Sequence, residues 1–257
     1  MSHLAFHVFI CRSDNYGVLI HDHKSGLTAS IDAPDAAEIE RQLDYKGWQL
    51  SHIFTTHHHG DHVDGNIALK QQYGCSIIGP AADSGGIPGL DMQVLGGDVF
   101  IWSGREVRVL GCPGHTKGHV AYHIPSDESV FAGDTLFSLG CGRVFEGTME
   151  QMYRSVSQFK VLAPSTRVYF GHEYTQSNAR FALSVEPGNA ALQERAVEVD
   201  SLRAEGRMTC PTTIGEELRI NPFLRTGSPE IRRNLHLETQ GDVEVFAELR
   251  GRKDLFK

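Results

Sequence analysis

The stretch FTTHHHGDHVDGN, Phe54 to Asn66, places four histidines and two aspartates directly after the apolar pair Ile53-Phe54. Few patterns constrain a fold more, because a ligand cluster at a strand end is useful only if the chain brings further ligands to it. Its core spacing is H-x-H-x-D-H: His57, His59, Asp61, His62. In an extended segment residues two apart share a side, so His57 and His59 can bind one metal ion while Asp61 and His62, just beyond, face a second. His58 then points away and is not expected to ligate. The bland alternatives are a polar loop with accidental histidines, or a histidine capping the helix at Val63. The position between an apolar strand and a helical pattern favours the metal motif.

Around it, short apolar runs bounded by Gly, Pro, Asp or Ser alternate with helix-like segments as far as Phe170, which reads as an α/β (α+β) region. Strands are expected at 18–20, 29–31, 53–55, 76–78, 99–102, 107–110, 120–124, 130–132 and 168–170, with hairpin-like turns at WSGRE and IPSDES. Helices are expected at 36–45, 63–73 and 149–162, the last with Met149, Met152, Val156 and Phe159 on one face. The strand pattern then stops. From VEPGN onward Leu192, Ala196, Val199 and Leu202 fall in helical register, followed by the capping-box-like TIGE and a helix start at Ser228-Pro229. This predicts two domains, 1–170 and 171–257, with the boundary between Ser165 and Pro187.

Three more residues lie just past apolar strands: His115 after GCPG, Asp134 in FAGDTLF and His172 in YFGHEY. Ligands of α/β sheets collect at the C-terminal ends of strands, so these separated segments can converge on one cleft. Taken singly, His115 and His172 also read as ordinary core or surface histidines and Asp134 as a turn cap. Together with the cluster they make a two-metal set. Nitrogen and oxygen donors suit Zn²⁺, with Mn²⁺ or Fe equally compatible since no thiolate selects against them. Asp134 is placed to bridge the two ions, and two ions sharing a carboxylate can also share a hydroxide formed at neutral pH, so that Asp61 and Asp134 act in catalysis through it.

Composition narrows the class further. A formal net charge of −8 argues against a protein that holds nucleic acid by general electrostatics, although LRGRK near the end is a local basic patch. No run of about eighteen apolar residues exists, and MSHLAFHVFICRSDNYG has no basic flank or cleavage site, which predicts a cytoplasmic chain with no membrane partner. The five cysteines are far apart and never form CxxC, so they are expected as free thiols.

With these residues in hand, THHHGDH, PGHTKGH, FAGDTLF and GHEYT, in that order, resemble the metallo-β-lactamase superfamily. More narrowly, LFSLGCGRVFEGT with GHEYT, NPFLR and RKDLF looks like glyoxalase II, the hydroxyacylglutathione hydrolases, over nearly the whole chain. The resemblance implies a four-layer αβ/βα sandwich with a C-terminal helical domain that binds glutathione. It also implies two metal ions, zinc foremost, a monomer, and hydrolysis of S-D-lactoylglutathione to D-lactate and glutathione, the second step of methylglyoxal detoxification. Carried over, the first site is His57, His59, His115 and Asp134, and the second is Asp61, His62, His172 and the same Asp134. The glutathione contacts fall on Arg143, Tyr174, Arg250 and Lys253, and Phe145 stands where some members have Tyr. SIDAP departs from the family's Asp-Pro-Gly, which alters a turn near Asp32.

A thioester suits such a centre, because a thiolate with a conjugate-acid pKa of about 8.5 leaves without a strong general acid. Four other readings compete. A persulfide dioxygenase of the same superfamily would use one iron and leave Asp61, His62 and His172 surplus. A tRNA 3′-end endonuclease would want an extended basic insertion, which the sequence lacks. A β-lactamase would need export, and a non-catalytic binding module would be expected to lose ligands.

Overall fold

A computed structural model describes residues 4–256 and arranges them as two six-stranded sheets packed face to face, with helices on both outer sides. The first sheet runs in the order β1 (Ala5–Cys11), β2 (Asn15–His21), β3 (Thr28–Ile31), β4 (His52–Phe54), β5 (Ser76–Pro80) and β6 (Met92–Val94). Its first three strands are antiparallel; β3 to β6 are parallel. Parallel neighbours require a crossover. These are supplied by α1 (Ala36–Lys46) between β3 and β4, and by α2 (Gly60–Val63) and α3 (Asn66–Tyr73) between β4 and β5.

The second sheet begins as the antiparallel meander β7 (Val99–Trp102), β8 (Arg105–Gly111), β9 (Val120–Ile124) and β10 (Ser129–Gly133). A small hairpin, β11 (Leu136–Phe137) with β12 (Gly140–Cys141), and α4 (Met149–Ser157) follow. The chain then returns as β13 (Arg167–Phe170), parallel to β10, and β14 (Thr212–Thr213) closes the edge. The remaining helices are α5 (Thr175–Val185), α6 (Ala190–Ala204), α7 (Ile214–Ile220), α8 (Pro229–Leu235) and α9 (Asp242–Leu255).

The burial patterns explain the layering. Every residue of β2 and β3 is buried, as a strand covered on both faces requires, whereas β8 alternates buried Arg105, Val107 and Val109 with exposed Glu106 and Arg108. Between the sheets Phe54 meets Trp102 and Tyr122 at ring-centroid distances of 5.7 and 5.4 Å. Each such aromatic pair contributes about 0.5–1.5 kcal/mol beyond the area it buries. Ile39, Leu43 and Leu69 cover the outside of the first sheet. On the far side Met152, Phe223, Phe246 and Leu249 share one core with Ala121, Val130 and Val168, so helices from both parts of the chain rest on the second sheet.

Several expectations need correction. The helix expected over 63–73 is two helices, broken at Asp64-Gly65, because Gly65 packs against the backbone of Ala33 where a Cβ would lie 2.9 Å from its carbonyl oxygen. The helix expected over 149–162 is α-helical only to Ser157 and finishes as a 3₁₀ turn, although Met152, Val156 and Phe159 are buried as predicted. Strands do not stop at Phe170, since β14 adds to the second sheet, and β1, β6 and the β11–β12 hairpin were not anticipated. Thr213 of TIGE does cap α7, accepting from the backbone N–H of Glu216 at 3.2 Å. All five cysteines are free and buried, and among the described residues no helix is long and apolar enough to cross a membrane.

Candidate metal centre

The parallel pairing of β10 and β13 sets their C-terminal ends side by side, with Gly133 opposite Phe170 and the Gly171 N–H donating to the Gly133 carbonyl at 3.0 Å. The end of β4 joins them from the other sheet, since the Val120 N–H donates to the Thr56 carbonyl at 2.9 Å. Asp134, His172 and the histidine loop are therefore delivered to one place by strand geometry. A Cβ at Gly171 would meet His62 Cε1 at 3.1 Å and collide with Asp134 Oδ1, so this backbone must lack a side chain to pass the cluster.

Two donor groups result. In the first, His59 Nδ1 lies 3.2 Å from His57 Nε2 and 3.0 Å from His115 Nε2, and His115 Nε2 lies 3.4 Å from Asp134 Oδ2. In the second, His172 Nε2 lies 3.3 Å from both His62 Nε2 and Asp61 Oδ2, and 3.3 Å from Asp134 Oδ2. Ligands about 2.0–2.1 Å from a tetrahedral cation sit about 3.3–3.4 Å apart, so these spacings are the edges of coordination polyhedra. The outer ring nitrogens are spoken for: His62 Nδ1 faces Asp32 Oδ2 at 2.7 Å, His172 Nδ1 faces Asp14 Oδ1 at 2.8 Å, and His115 Nδ1 faces the Arg143 carbonyl at 2.9 Å. Each bond commits the proton to Nδ1 and leaves an Nε2 lone pair aimed inward, where lone pairs meeting lone pairs need a cation between them. Asp134 Oδ1 is buried and has no hydrogen-bond partner. The donor set therefore fits divalent metal.

The groups differ electrically. Burial, reinforced by the neighbouring histidines His62, His119 and His115, drives His57 well below the ordinary histidine range, so its imidazole is neutral. Burial also opposes charge on His172, but the carboxylates of Asp134, Asp14 and Asp61 outweigh it and raise that imidazole to about 9, so a proton holds Nε2 until a divalent cation displaces it. The second group is thus the more anionic.

A cleft of about 500 Å³ opens over the cluster. Its walls include Arg143, Phe145, Tyr174, Arg250 and Lys253, the substrate contacts expected from the sequence, together with Phe137 and Cys141. Arg143, Phe145 and Tyr174 are exposed to it, and Tyr174 lies parallel to His172 at 4.8 Å. Arg250 lines the cleft as expected of a substrate contact, but its guanidinium already has partners. It is buried, donates to the Cys141 carbonyl at 2.7 Å, and pairs with Asp254 at 3.0 Å. Lys253 also faces the cleft: burial, then the cations of Arg250 and Arg143, push its ammonium down to about 8, and its Nζ donates to the Ser177 hydroxyl at 2.9 Å.

Sequence reasoning missed four residues. Asp32 accepts from the Thr56 N–H (2.7 Å) and hydroxyl (2.9 Å) as well as facing His62. Asp14 and Asn15 lie together at the β1–β2 turn, where Asn15 Nδ2 donates to Asp61 Oδ2 at 2.9 Å. His119 Nε2 accepts from the Asp134 N–H at 3.0 Å while its ring stacks on His57 at 4.7 Å. The second histidine of PGHTKGH was the only sequence signal for His119, and SIDAP the only one for Asp32.

Fold and centre together define a metal-binding hydrolase of the metallo-β-lactamase superfamily, whose family model matches residues 26–172. Residues 173–256 match the hydroxyacylglutathione hydrolase C-terminus. The chain is 54% identical to a hydroxyacylglutathione hydrolase of Rhizobium meliloti (strain 1021) over the whole of both chains. With one of Brucella anthropi it shares 58% identity, over 96% of this chain and 95% of that one. It belongs to the hydroxyacylglutathione hydrolase family, enzymes that hydrolyse thioesters. Among solved structures, ETHE1 from Myxococcus xanthus superposes with a TM-score of 0.66 at 25% identity, covering 98% of this chain and all of that one. BLEG-1 B3 metallo-β-lactamase, at 18% identity and a TM-score of 0.65 over 86% of this chain and all of its own, shares the fold.

Proposed function

We propose that this chain hydrolyses S-D-lactoylglutathione to D-lactate and glutathione, with two divalent cations, zinc foremost, held by His57, His59, His115 and Asp134 on one side and Asp61, His62, His172 and Asp134 on the other. The observation that carries this is the pair of donor groups meeting at Asp134 on the floor of a cleft lined by Arg143 and Lys253. Cations bound there supply Lewis-acid polarisation of the thioester carbonyl and bring the pKa of a coordinated water toward neutrality. The protein does the rest. Asp14, Asp32 and the Arg143 carbonyl hold the imidazoles in the tautomer that offers Nε2. Phe137 and Phe145 narrow the cleft against water, and Lys253 with Arg143 meets the glutathione carboxylates. The glutathione thiolate departs unaided by a general acid.

In this reading residues 1–170 form the catalytic domain, with His172 joining its metal centre from just past the boundary, residues 171–257 form the helical domain that brings Tyr174 and Lys253 to a cleft shared with Arg143 and Phe145, and the enzyme works as a monomer. Five free thiols support a reducing compartment, the cytoplasm.

Elemental analysis and thioester hydrolysis on one purified sample test the centre. About two ions per chain are expected, and chelation should abolish turnover; a metal-replete preparation holding a single ion would remove the second site from this reading. The cleft has its own test. Lys253→Ala deletes a charge-assisted contact of roughly 1.5–3 kcal/mol and should raise KM for the glutathione thioester about ten- to a hundredfold, with kcat nearly unchanged. A short thioester without the carboxylates should be a poor substrate, indifferent to the change. Arg250→Ala is less clean, since it also strips the Cys141 carbonyl and Asp254 of their partner. Native KM in the Lys253 variant would take the glutathione cradle off this wall.

A further inference from the structure

His58 is left out of both metal groups, yet its surroundings are tightly built. Its Nδ1 lies 2.9 Å from Asp83 Oδ2 and its Nε2 3.2 Å from Glu146 Oε1. Asp83 is buried and fixed independently, since the Thr116 hydroxyl donates to Oδ2 at 2.7 Å and the Gly118 N–H to Oδ1 at 2.8 Å. Glu146 in turn accepts from the Lys117 N–H at 3.0 Å. A Cβ on Gly86 would stand 2.8 Å from His58 Cβ, so the 3₁₀ turn Ala81–Gly86 closes the ring in from the other side.

Two other loop segments therefore meet at this imidazole, and a third, Thr116 to Gly118, braces both of its carboxylate partners. The one reached through Glu146 also carries Arg143 and Phe145. Phe145 is 61% exposed, with its ring centroid 5.8 Å from that of His59 and 5.2 Å from that of His115. So exposed a ring has little packing of its own to keep it there, and its place depends on the anchors of its loop. We propose that His58, through Asp83 and Glu146, is a positioning residue that holds the Arg143–Phe145 wall of the cleft over the first metal group and so sets affinity for the thioester. The inference rests on the reading of that cleft as the substrate site.

The test is a double-mutant cycle on the metal-loaded enzyme with the glutathione thioester, metal content being measured alongside. His58→Ala and Glu146→Gln should each raise KM about three- to tenfold, the scale of one lost hydrogen bond, with kcat and metal content held. Phe145→Ala should raise KM too, and adding His58→Ala to it should cost less than His58→Ala does alone, because only Arg143 is then left for the tether to place. Additive effects, or a fall in kcat accompanied by metal loss, would overturn the proposal in favour of a role in the metal loop itself. Donor atoms of His58, His59 and Glu146 also lie within 4.8 Å of one another. A third, weaker equivalent of Zn²⁺ that vanishes in His58→Ala would instead make the cluster a cation site and overturn the tether. The cleft reading fails separately: it falls if Phe145→Ala leaves KM unchanged, whereas His58→Ala without effect while Phe145→Ala has one sinks the tether alone.

Discussion

Asp134→Ala is expected to remove both cations together and to lower turnover by three powers of ten or more. Its side chain reaches both donor groups: Oδ2 is 3.4 Å from His115 Nε2 and 3.3 Å from His172 Nε2, and Oδ1 is 3.5 Å from His62 Nε2. Burial by itself would raise this carboxyl, but His172, His62 and His115 together overcome it and hold it well below the usual carboxylate range. The anion is thus the form the site demands. Without it, the first group keeps three neutral imidazoles and the second loses the carboxylate it shares. The several kcal/mol of charge stabilisation that a bound metal gives the transition state is then forfeited, at about tenfold in rate per 1.4 kcal/mol. In the metal-free protein folding should feel the loss as well, because Asp134 Oδ2 faces His172 at 3.3 Å and His115 at 3.4 Å and these histidines favour the buried carboxylate, although Oδ1 makes no hydrogen bond that the deletion would break. Metal content, circular dichroism and hydrolysis on one preparation separate these effects. Retention of two ions with near-native turnover would show that Asp134 is no bridge.

The strand ends were legible because apolar runs bounded by turn residues mark them, and three ligands follow such runs at short distance. The residues that orient the ligands were not. Asp14 meets His172 across 158 positions of sequence and Asp32 meets His62 across 30, and nothing local in CRSDNYG or SIDAP announces a partner so far away. β14 escaped for a similar reason, since two residues carry no period and acquire strand geometry only by pairing with Arg167 and Val168. Arg250 was legible as a cation, but its burial against Cys141 and Asp254 follows from how α9 lies on the β11–β12 hairpin, which no pattern within α9 reveals.

Asp32 is the position where the local departure from the family's turn and the chemistry of the centre meet, and it yields the second large effect. It is buried, sits at φ 58°, and serves three donors: the Thr56 N–H, the Thr56 hydroxyl and His62 Nδ1. Asp32→Ala would leave these groups without an acceptor at about 1–3 kcal/mol each, and a left-handed alanine adds roughly 1–2 kcal/mol. That sum takes up much of the roughly 5–15 kcal/mol that keeps a domain folded, so this variant should be poorly soluble or unfolded. Asp32→Asn is the informative change. Asparagine tolerates the left-handed region and keeps one acceptor oxygen, so the fold should survive. Its amide, however, cannot serve all three donors, because its NH2 must face either the Thr56 N–H or the Thr56 hydroxyl and His62 Nδ1; in the second orientation His62 turns or its proton moves to Nε2, where it blocks the lone pair meant for the metal. Affinity for one of the two ions should then fall about ten- to a hundredfold while the other stays bound, which isothermal titration of the metal-free protein would resolve. Two ions taken up by Asp32→Asn with native affinity would mean that His62 is oriented by its loop alone, and that the buried carboxylate serves only to close the turn.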